Sequence, residues 1–206
     1  MNIPVSHTES VATLRTRFSC SCNVPVLFLA LSLILFLPRS SAAQDHMHFG
    51  VNVDLLPTVM SATEGRFGGA GQVWVAVGKN RFRAVAASMR LPDSFSDEPW
   101  SDNDLNAFAL IYDRFLREPV RGPWIGSGVE FWNQSITYHE RTKFILNNWI
   151  ATLGAGWVFR IGDHFLLDPW VGLHWNVIRS GVGVEDDNFI PPLVQVEASL
   201  KIGWEF

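Results

Sequence analysis

The chain has 206 residues, of which 48% are hydrophobic and 17% are charged, and it contains nine Trp and fifteen Phe but only two Tyr. Its length suits a single domain, and its composition is too apolar and too aromatic for a disordered, collagen-like or coiled-coil protein. The formal net charge of −4 argues against a nucleic-acid partner, because the sixteen Lys and Arg residues are scattered and form no basic patch that could neutralise phosphates.

The first recognisable element is an uncharged apolar stretch at residues 24–37, which follows Arg15 and Arg17 and precedes the small residues 40–43. The stretch is shorter than the roughly 20 residues that a transmembrane helix needs. Its flanks are typical of a secretory signal peptide cleaved after Ala43, and an uncleaved N-terminal anchor is the alternative.

Two segments follow from this cleavage site: residues 1–43 are predicted to be a signal peptide, and residues 44–206 are predicted to be the mature domain. Both cysteines, Cys20 and Cys22, lie in the segment that would be removed. The mature chain would therefore contain no disulfide and no thiolate metal ligand.

Beyond residue 44, helical periodicity is hard to find, and apolar and polar residues instead alternate in runs separated by turn residues. This pattern predicts eight strands. In chain order the runs cover residues 48–55, 72–77, 81–91, 105–118, 125–134, 149–160, 167–177 and 193–206.

The two faces of each run differ in polarity. In the first run, Leu55 belongs to the apolar face and Asp54 to the polar face. Two runs alternate less cleanly. We assign Arg83 to the polar face, because an Arg that faces lipid costs about 2–4 kcal/mol at the bilayer midplane. In the fourth run, we assign Phe108, Leu110 and Tyr112 to the apolar face.

The connections between these runs alternate in length. Residues 78–80, 119–122 and 162–163 form short turns, whereas the other connections are mostly longer and cover residues 57–69, 92–104, 139–143 and 181–192. An even number of strands with short turns at one end and long loops at the other is the layout of an outer-membrane β-barrel.

The C-terminal run ends in Phe206, with Leu200, Ile202 and Trp204 at every second position before it. This ending resembles the signal read by the barrel-assembly machinery, and the chain from about residue 46 resembles small bacterial outer-membrane barrels such as the transmembrane domain of outer-membrane protein A and the outer-membrane protein W group. The resemblance implies an all-β fold, an eight-stranded antiparallel up-and-down transmembrane β-barrel. It also implies a bacterial outer-membrane location, with periplasmic turns and extracellular loops. The implied partners are outer-membrane lipid, lipopolysaccharide and the assembly machinery, with the chain itself a monomer.

An eight-stranded barrel has an interior that side chains can fill, so a packed polar interior is expected here and a wide pore is not. Carboxylates outnumber bases among the predicted inward-facing residues, so some should be hydrated, protonated or near the barrel mouth. The predicted polar network consists of Asp54, Arg83, Asp113, Glu130, Arg160, Asp168, His174, Glu197, Lys201 and Glu205.

The sequence contains no pattern that predicts a catalytic, cofactor or metal site. Four histidines, His46, His48, His139 and His164, are too dispersed for a metal site. Acidic residues gather in residues 92–104 and 185–187, but the spacing of a calcium loop is missing.

His174 together with Glu185 invites comparison with the outer-membrane lipid A deacylases. The match is poor, because Trp175 and Asn176 stand where the nucleophilic Ser is needed and His174 is predicted to face the lumen. We therefore predict a non-enzymatic outer-membrane barrel with a structural, loop-mediated binding or adhesion role. Three alternatives remain: a narrow channel for small or apolar solutes, a lipid-modifying enzyme, and a soluble lipocalin-like binder whose apolar face would point inward.

Overall fold

The structure is a computed structural model, which describes residues 47–92, 100–138, 142–182 and 193–206. The predicted signal peptide, residues 1–43, lies outside the described residues, as do His46 and His139.

Eight antiparallel strands form one closed barrel in which each strand pairs with its neighbours in the sequence. β8 pairs with β1, with Lys201 opposite Asp54 and Glu205 opposite Gly50, and this pairing closes the sheet. A closed sheet leaves no unpaired edge. The predicted fold class, an all-β eight-stranded up-and-down barrel, is confirmed. The strands are β1 (Met47–Asp54), β2 (Gly69–Val77), β3 (Asn80–Arg90), β4 (Trp100–Phe115), β5 (Gly122–Tyr138), β6 (Thr142–Ile161), β7 (Phe165–Val182) and β8 (Val194–Glu205).

Large apolar side chains cover the outside of the barrel, and polar side chains fill much of the inside. Val73 is 60% exposed and Leu110 is 54% exposed, although both belong to the middle of their strands. In β3, Arg83 lies inside and Phe82 outside, the facing that the cost of a lipid-exposed Arg predicts. A lipocalin-like barrel would reverse this polarity, since its apolar residues would line the interior.

Tight turns close one end of the barrel. Gly78 between β2 and β3 and Gly162 between β6 and β7 both adopt positive φ, at 55° and 64°, a conformation that glycine adopts without steric cost. The turn between β4 and β5 contains Val120, which has a φ of 50° and is fully buried. We call this the turn end of the barrel, and we call the opposite end the loop end.

A helix at the loop end corrects one expectation, because the alternation placed Leu55 in the first strand and gave no sign of a helix. Residues Leu55–Thr63 form α1, which connects β1 to β2. The Asp54 carboxylate caps the helix by accepting a hydrogen bond from the Leu56 backbone N–H at 3.2 Å. Ser61 Oγ accepts a hydrogen bond from the Arg90 backbone N–H at 2.9 Å, which fixes the helix against β3.

In the described part of the chain, no helix has the length and apolar character needed to cross a membrane.

The middle strands extend further than the pattern predicts. β4 begins at Trp100, inside the connection expected at residues 92–104, and Trp100 pairs with Tyr138 of β5. The alternation is not visible there, because the segment contains polar residues such as Ser101 and the strand register shifts between Ser101 and Asp104. The rings of Trp100 and Tyr138 lie 4.8 Å apart and stabilise the extension, which sequence alternation does not reveal.

Candidate functional site

The barrel interior is closed at the turn end by an apolar plug. Its residues come from five different strands and one turn, and most of them are inaccessible to solvent. The plug consists of Trp74, Ala76, Phe115, Val120, Trp124, Val158 and Leu166. Side chains of this size occupy much of the narrow lumen of an eight-stranded barrel.

A charged cluster, which we call the turn-end cluster, lies directly on this plug and joins opposite sides of the barrel. Asp113 accepts hydrogen bonds from Arg81 Nε at 2.7 Å and from Arg83 Nη2 at 2.9 Å. Arg81 Nη2 also donates to Asp168 at 3.2 Å, and Trp124 Nε1 donates to the other oxygen of Asp168 at 2.8 Å. The two arginines and the two aspartates compensate one another, which makes their deep burial tolerable.

Arg81 is the member of this cluster that the sequence prediction omitted. Its side chain is 0% exposed, and its guanidinium carbon lies 5.0 Å from the centre of the Phe115 ring and 5.3 Å from that of Trp124. The signal was present, because Arg81 and Arg83 are two residues apart and share one face of a strand. Assigning Arg83 to the lumen therefore assigns Arg81 to the lumen as well.

A second polar group, which we call the His174 group, lies further toward the loop end. Thr152 Oγ1 donates to Glu130 at 2.6 Å, and Trp132 Nε1 donates to the other Glu130 oxygen at 2.7 Å. His174 Nδ1 lies 3.3 Å from Glu130, while its Nε2 lies 3.0 Å from Glu197. The imidazole thus bridges two carboxylates inside the barrel, and with 3% of its side chain exposed it does not reach the exterior.

A third polar group lies near the turn end, and its central residue is Glu205. One carboxylate oxygen lies 2.6 Å from His48 Nδ1, and the other pairs with Arg160. His164 lies in the adjacent turn, and its Nδ1 is 2.8 Å from the Glu205 backbone oxygen. These contacts connect the ends of β1, β6 and β8.

Asp54 and Lys201 occupy cross-strand positions, but they do not form an ion pair within 4.0 Å. Asp54 accepts from the hydroxyl of Ser199, from the Leu56 N–H and from Trp170 Nε1 at 3.2 Å. Lys201 Nζ lies 3.8 Å from the centre of the Trp170 ring and 5.6 Å from that of Trp124. The ammonium is therefore held by indole faces and not by a carboxylate.

The ten predicted network residues thus divide among separate groups. All ten line or fill the interior, but Arg83, Asp113 and Asp168 belong to the turn-end cluster, Glu130, His174 and Glu197 to the His174 group, and Arg160 and Glu205 to the third. The predicted network has more carboxylates than bases. Arg81 supplies a further positive charge, and neutral donors such as the indole N–H groups of Trp124, Trp132 and Trp170 donate hydrogen bonds to the carboxylates.

A cavity of about 80 Å³ lies between the turn-end cluster and α1. One side is apolar and comes from β3 and β4, and the other carries the His174 group. Gln72, Arg83, Lys201 and Trp124 line it toward the plug, and Pro57 of α1 lines it at the loop end. The cavity therefore has unlike walls.

The remaining predicted residues lie elsewhere. Leu200, Ile202, Trp204 and Phe206 are on the outward face of β8 and at its end, where the Phe206 backbone N–H donates to Phe49 at 2.9 Å. Glu185, the partner considered for His174, lies outside the described residues, as do the acidic residues 93, 97, 98, 186 and 187. Within the described ranges, no three His, Cys, Asp or Glu side chains are grouped so that they could hold a metal ion.

Neither a protein-family model nor a curated protein matches the sequence. Among solved structures, the chain is similar to the crystal structure of Neisserial surface protein A, with a TM-score of 0.45 and 10% sequence identity, over 77% of this chain and 93% of that chain. The fold assignment depends on the strand pairing of this chain itself.

Proposed function

We propose that this chain is an integral β-barrel of the bacterial outer membrane, in which a rigid wall supports loops that have a structural, binding or adhesion role. The chain acts as a monomer without catalytic activity, and its partners are membrane lipid, lipopolysaccharide and the barrel-assembly machinery. The observation that carries this proposal is the apolar exterior, because a closed sheet with apolar residues outside and polar residues inside suits a lipid solvent.

The boundary of the apolar band at the loop end supports this proposal. Phe108, Phe131 and Trp149 are cross-strand partners on the outer surface, and aromatic rings are favoured at the lipid headgroup level. In β4 to β7, the outward position two residues closer to the loop end is polar. That polar row consists of Asn106, Asn133, Asn147 and Ser180, which are cross-strand partners in turn.

The boundary at the turn end has the same character. Tyr112 and Arg114 both donate to Asn80 Oδ1 at 2.7 Å, and the guanidinium of Arg117 lies 5.8 Å from the centre of the Trp157 ring. Between Asn106 and Arg114, β4 rises about 26 Å along its own axis, or about 20 Å along the barrel axis at a typical strand tilt. This height is close to the apolar band of roughly 25 Å of an outer-membrane barrel.

The plug and the charged cluster favour a barrel that does not conduct. They occupy the lumen at the turn end, and displacing them would expose buried ion pairs. Planar-bilayer recordings of the purified barrel should therefore show no steady conductance. Channel openings abolished by a bulky lumen substitution, and unaffected by one outside, would instead establish the narrow-channel alternative.

Replacing Leu110 by Arg tests the membrane assignment directly. We expect the substitution to lower the free energy of unfolding in lipid vesicles by about 2–4 kcal/mol, because the guanidinium would lie in the hydrocarbon. The measurement is urea-induced unfolding of the refolded barrel, with Leu110→Ala as the control for loss of side-chain volume. An Arg variant as stable as the Ala variant, together with a mature chain recovered from the soluble periplasm, would exclude the membrane location.

Removing the terminal aromatic ring tests the proposed assembly signal. The Phe206 side chain is 74% exposed, so Phe206→Ala should change the stability of the barrel refolded in detergent by less than about 0.5 kcal/mol. In cells, by contrast, the amount of folded protein in the outer membrane should fall several-fold. Phe67→Ala is a matched control, because Phe67 is an exposed aromatic residue outside the strands. Equal membrane levels of both variants would remove the assembly role of Phe206.

A further inference from the structure

The cavity inside the barrel has features of a ligand site that the proposed loop-display role does not use. Its volume of about 80 Å³ corresponds to roughly five to eight water-sized positions, because one such position needs about 10–15 Å³. It lies between the turn-end cluster and Pro57 of α1. The cavity therefore suits a small organic molecule.

The end of the cavity nearest the plug presents hydrogen-bond donors. Lys201 is 3% exposed, and its Nζ makes no hydrogen bond to any residue in the described ranges. Its cross-strand neighbours Asp54 and Asp168 already accept from other groups, namely Ser199 and Trp170 for Asp54, and Arg81 and Trp124 for Asp168. The ammonium thus has donors available for an acceptor in the cavity.

Gln72 adds a second donor at the same end. Its Oε1 accepts from Arg83 Nη1 at 2.9 Å, and this contact fixes the orientation of the amide because Arg only donates. The amide nitrogen, Nε2, is buried and makes no hydrogen bond within the described part of the chain. Arg83 and Lys201 both lie against the ring of Trp124, at 5.3 and 5.6 Å from its centre. Positive charge and free donors therefore meet at one end of the cavity.

The walls of the cavity differ in what they can accept. Apart from Arg83 at the end nearest the plug, β3 and β4 contribute only apolar side chains to it, namely Val85, Ala87, Met89, Leu105, Ala107, Ala109 and Ile111. On the other side, Glu130 accepts from Thr152 and Trp132, and Glu197 lies 3.0 Å from His174 Nε2. An aliphatic chain is therefore favoured along β3 and β4.

We propose that this cavity binds a short-chain aliphatic carboxylate, about four to six carbons long, that enters from the loop end. Its carboxylate accepts hydrogen bonds from Lys201 Nζ and Gln72 Nε2, and its chain lies against Ala107 and the other apolar residues of β3 and β4. A buried ammonium without a carboxylate partner binds an ionised acceptor more strongly than a neutral one. The size follows from the cavity volume, since such a ligand has roughly six to eight non-hydrogen atoms.

The test uses the full barrel refolded in detergent micelles and titrated with sodium hexanoate. The signal is the NMR cross-peak of the Trp170 indole N–H, assigned with Trp170→Phe, because this ring lies against Lys201. We expect a saturable shift with hexanoate, at least about ten-fold weaker binding in Lys201→Met, and similar weakening in Ala107→Leu, which fills the cavity. Two controls should bind as the unmodified chain does: Lys79→Met in a turn, and Ala86→Leu on the outer face of β3.

Other outcomes would overturn the proposal. One is the lack of a saturable shift at tens of millimolar hexanoate, and another is equal binding by Lys201→Met and the unmodified chain. Equal binding of 1-hexanol or hexylamine would exclude a carboxylate as the recognised group. If Lys201→Met does not refold, Ala107→Leu and Gln72→Met decide the question, because neither removes a buried charge. Failure of this test leaves the membrane assignment untouched, since that is decided by the Leu110→Arg experiment.

Discussion

Replacing Asp113 by Asn should lower the free energy of unfolding by about 3–5 kcal/mol, the largest effect expected of any single polar substitution in this barrel. Asp113 is completely buried and accepts hydrogen bonds from both Arg81 and Arg83. The amide of Asn is similar in shape but carries no charge, so both guanidinium groups would keep only part of their compensation. Urea-induced unfolding in lipid vesicles, followed by Trp fluorescence, measures the loss.

Two further variants separate the buried charge from other causes. Asp163→Asn removes a carboxylate from the exposed turn between β6 and β7, and its stability should stay within about 0.5 kcal/mol of the unmodified chain. Asp113→Leu combined with Arg83→Met removes one charge of each sign and should recover a large part of the loss, because an apolar pair of similar volume can replace a buried ion pair. If the Asp113→Asn variant is as stable as the Asp163→Asn variant, Asp113 does not compensate the buried charges of Arg81 and Arg83.

The second large effect is expected where two glycines on one strand differ in their surroundings. A Cβ added at Gly156 would lie 2.6 Å from the Trp124 ring and 2.7 Å from the backbone oxygen of Pro169, both closer than such contacts allow. Neither neighbour moves freely, because Trp124 belongs to the plug and Pro169 to the adjacent strand. Gly156→Ala should therefore lower the free energy of unfolding by about 1–3 kcal/mol through overpacking.

Gly154 is the matched control for this prediction. It lies two residues away on the same face of β6, but an added Cβ there would meet its nearest neighbours at 3.5 to 3.7 Å, which is ordinary van der Waals contact. Gly154→Ala should be neutral or slightly stabilising, because alanine restricts the unfolded chain more than glycine does. The comparison is made by urea titration of both variants in the same vesicles. If both substitutions cost the same, the close packing of Trp124 against β6 is wrong.

Alternation in the sequence predicted most of the wall of this barrel, because a strand with one apolar and one polar environment needs a period of two. It placed Arg83 and Phe82 on opposite faces, and it located the turns at Gly78 and Gly162. It could not reveal α1, since the helix depends on the Asp54 cap and on the contact between Ser61 and Arg90, neither of which leaves a periodic signal.

The interior was predictable as a list of residues but not as an arrangement. Asp113 is the cross-strand partner of Arg81, so this contact follows once the strand register is known. The contact between Arg81 and Asp168 crosses the lumen, and the pairing of neighbouring strands does not imply it. The cavity could not be predicted from the sequence either. Its volume depends on the distance between the side chains of β3 and β4 and those on the opposite side of the barrel.

The contact between Arg81 and Asp168 also has a mechanical meaning. It joins β3 to β7, and in a ring of eight strands these two lie on opposite sides, so the ion pair acts as a strut across the diameter. Flattening or widening the barrel at this height would break a buried ion pair. At the height of the cavity, side chains can move into empty space, so the barrel can change shape there without breaking such a pair. The turn end should therefore keep a fixed cross-section, while changes in the shape of the barrel concentrate at the height of the cavity.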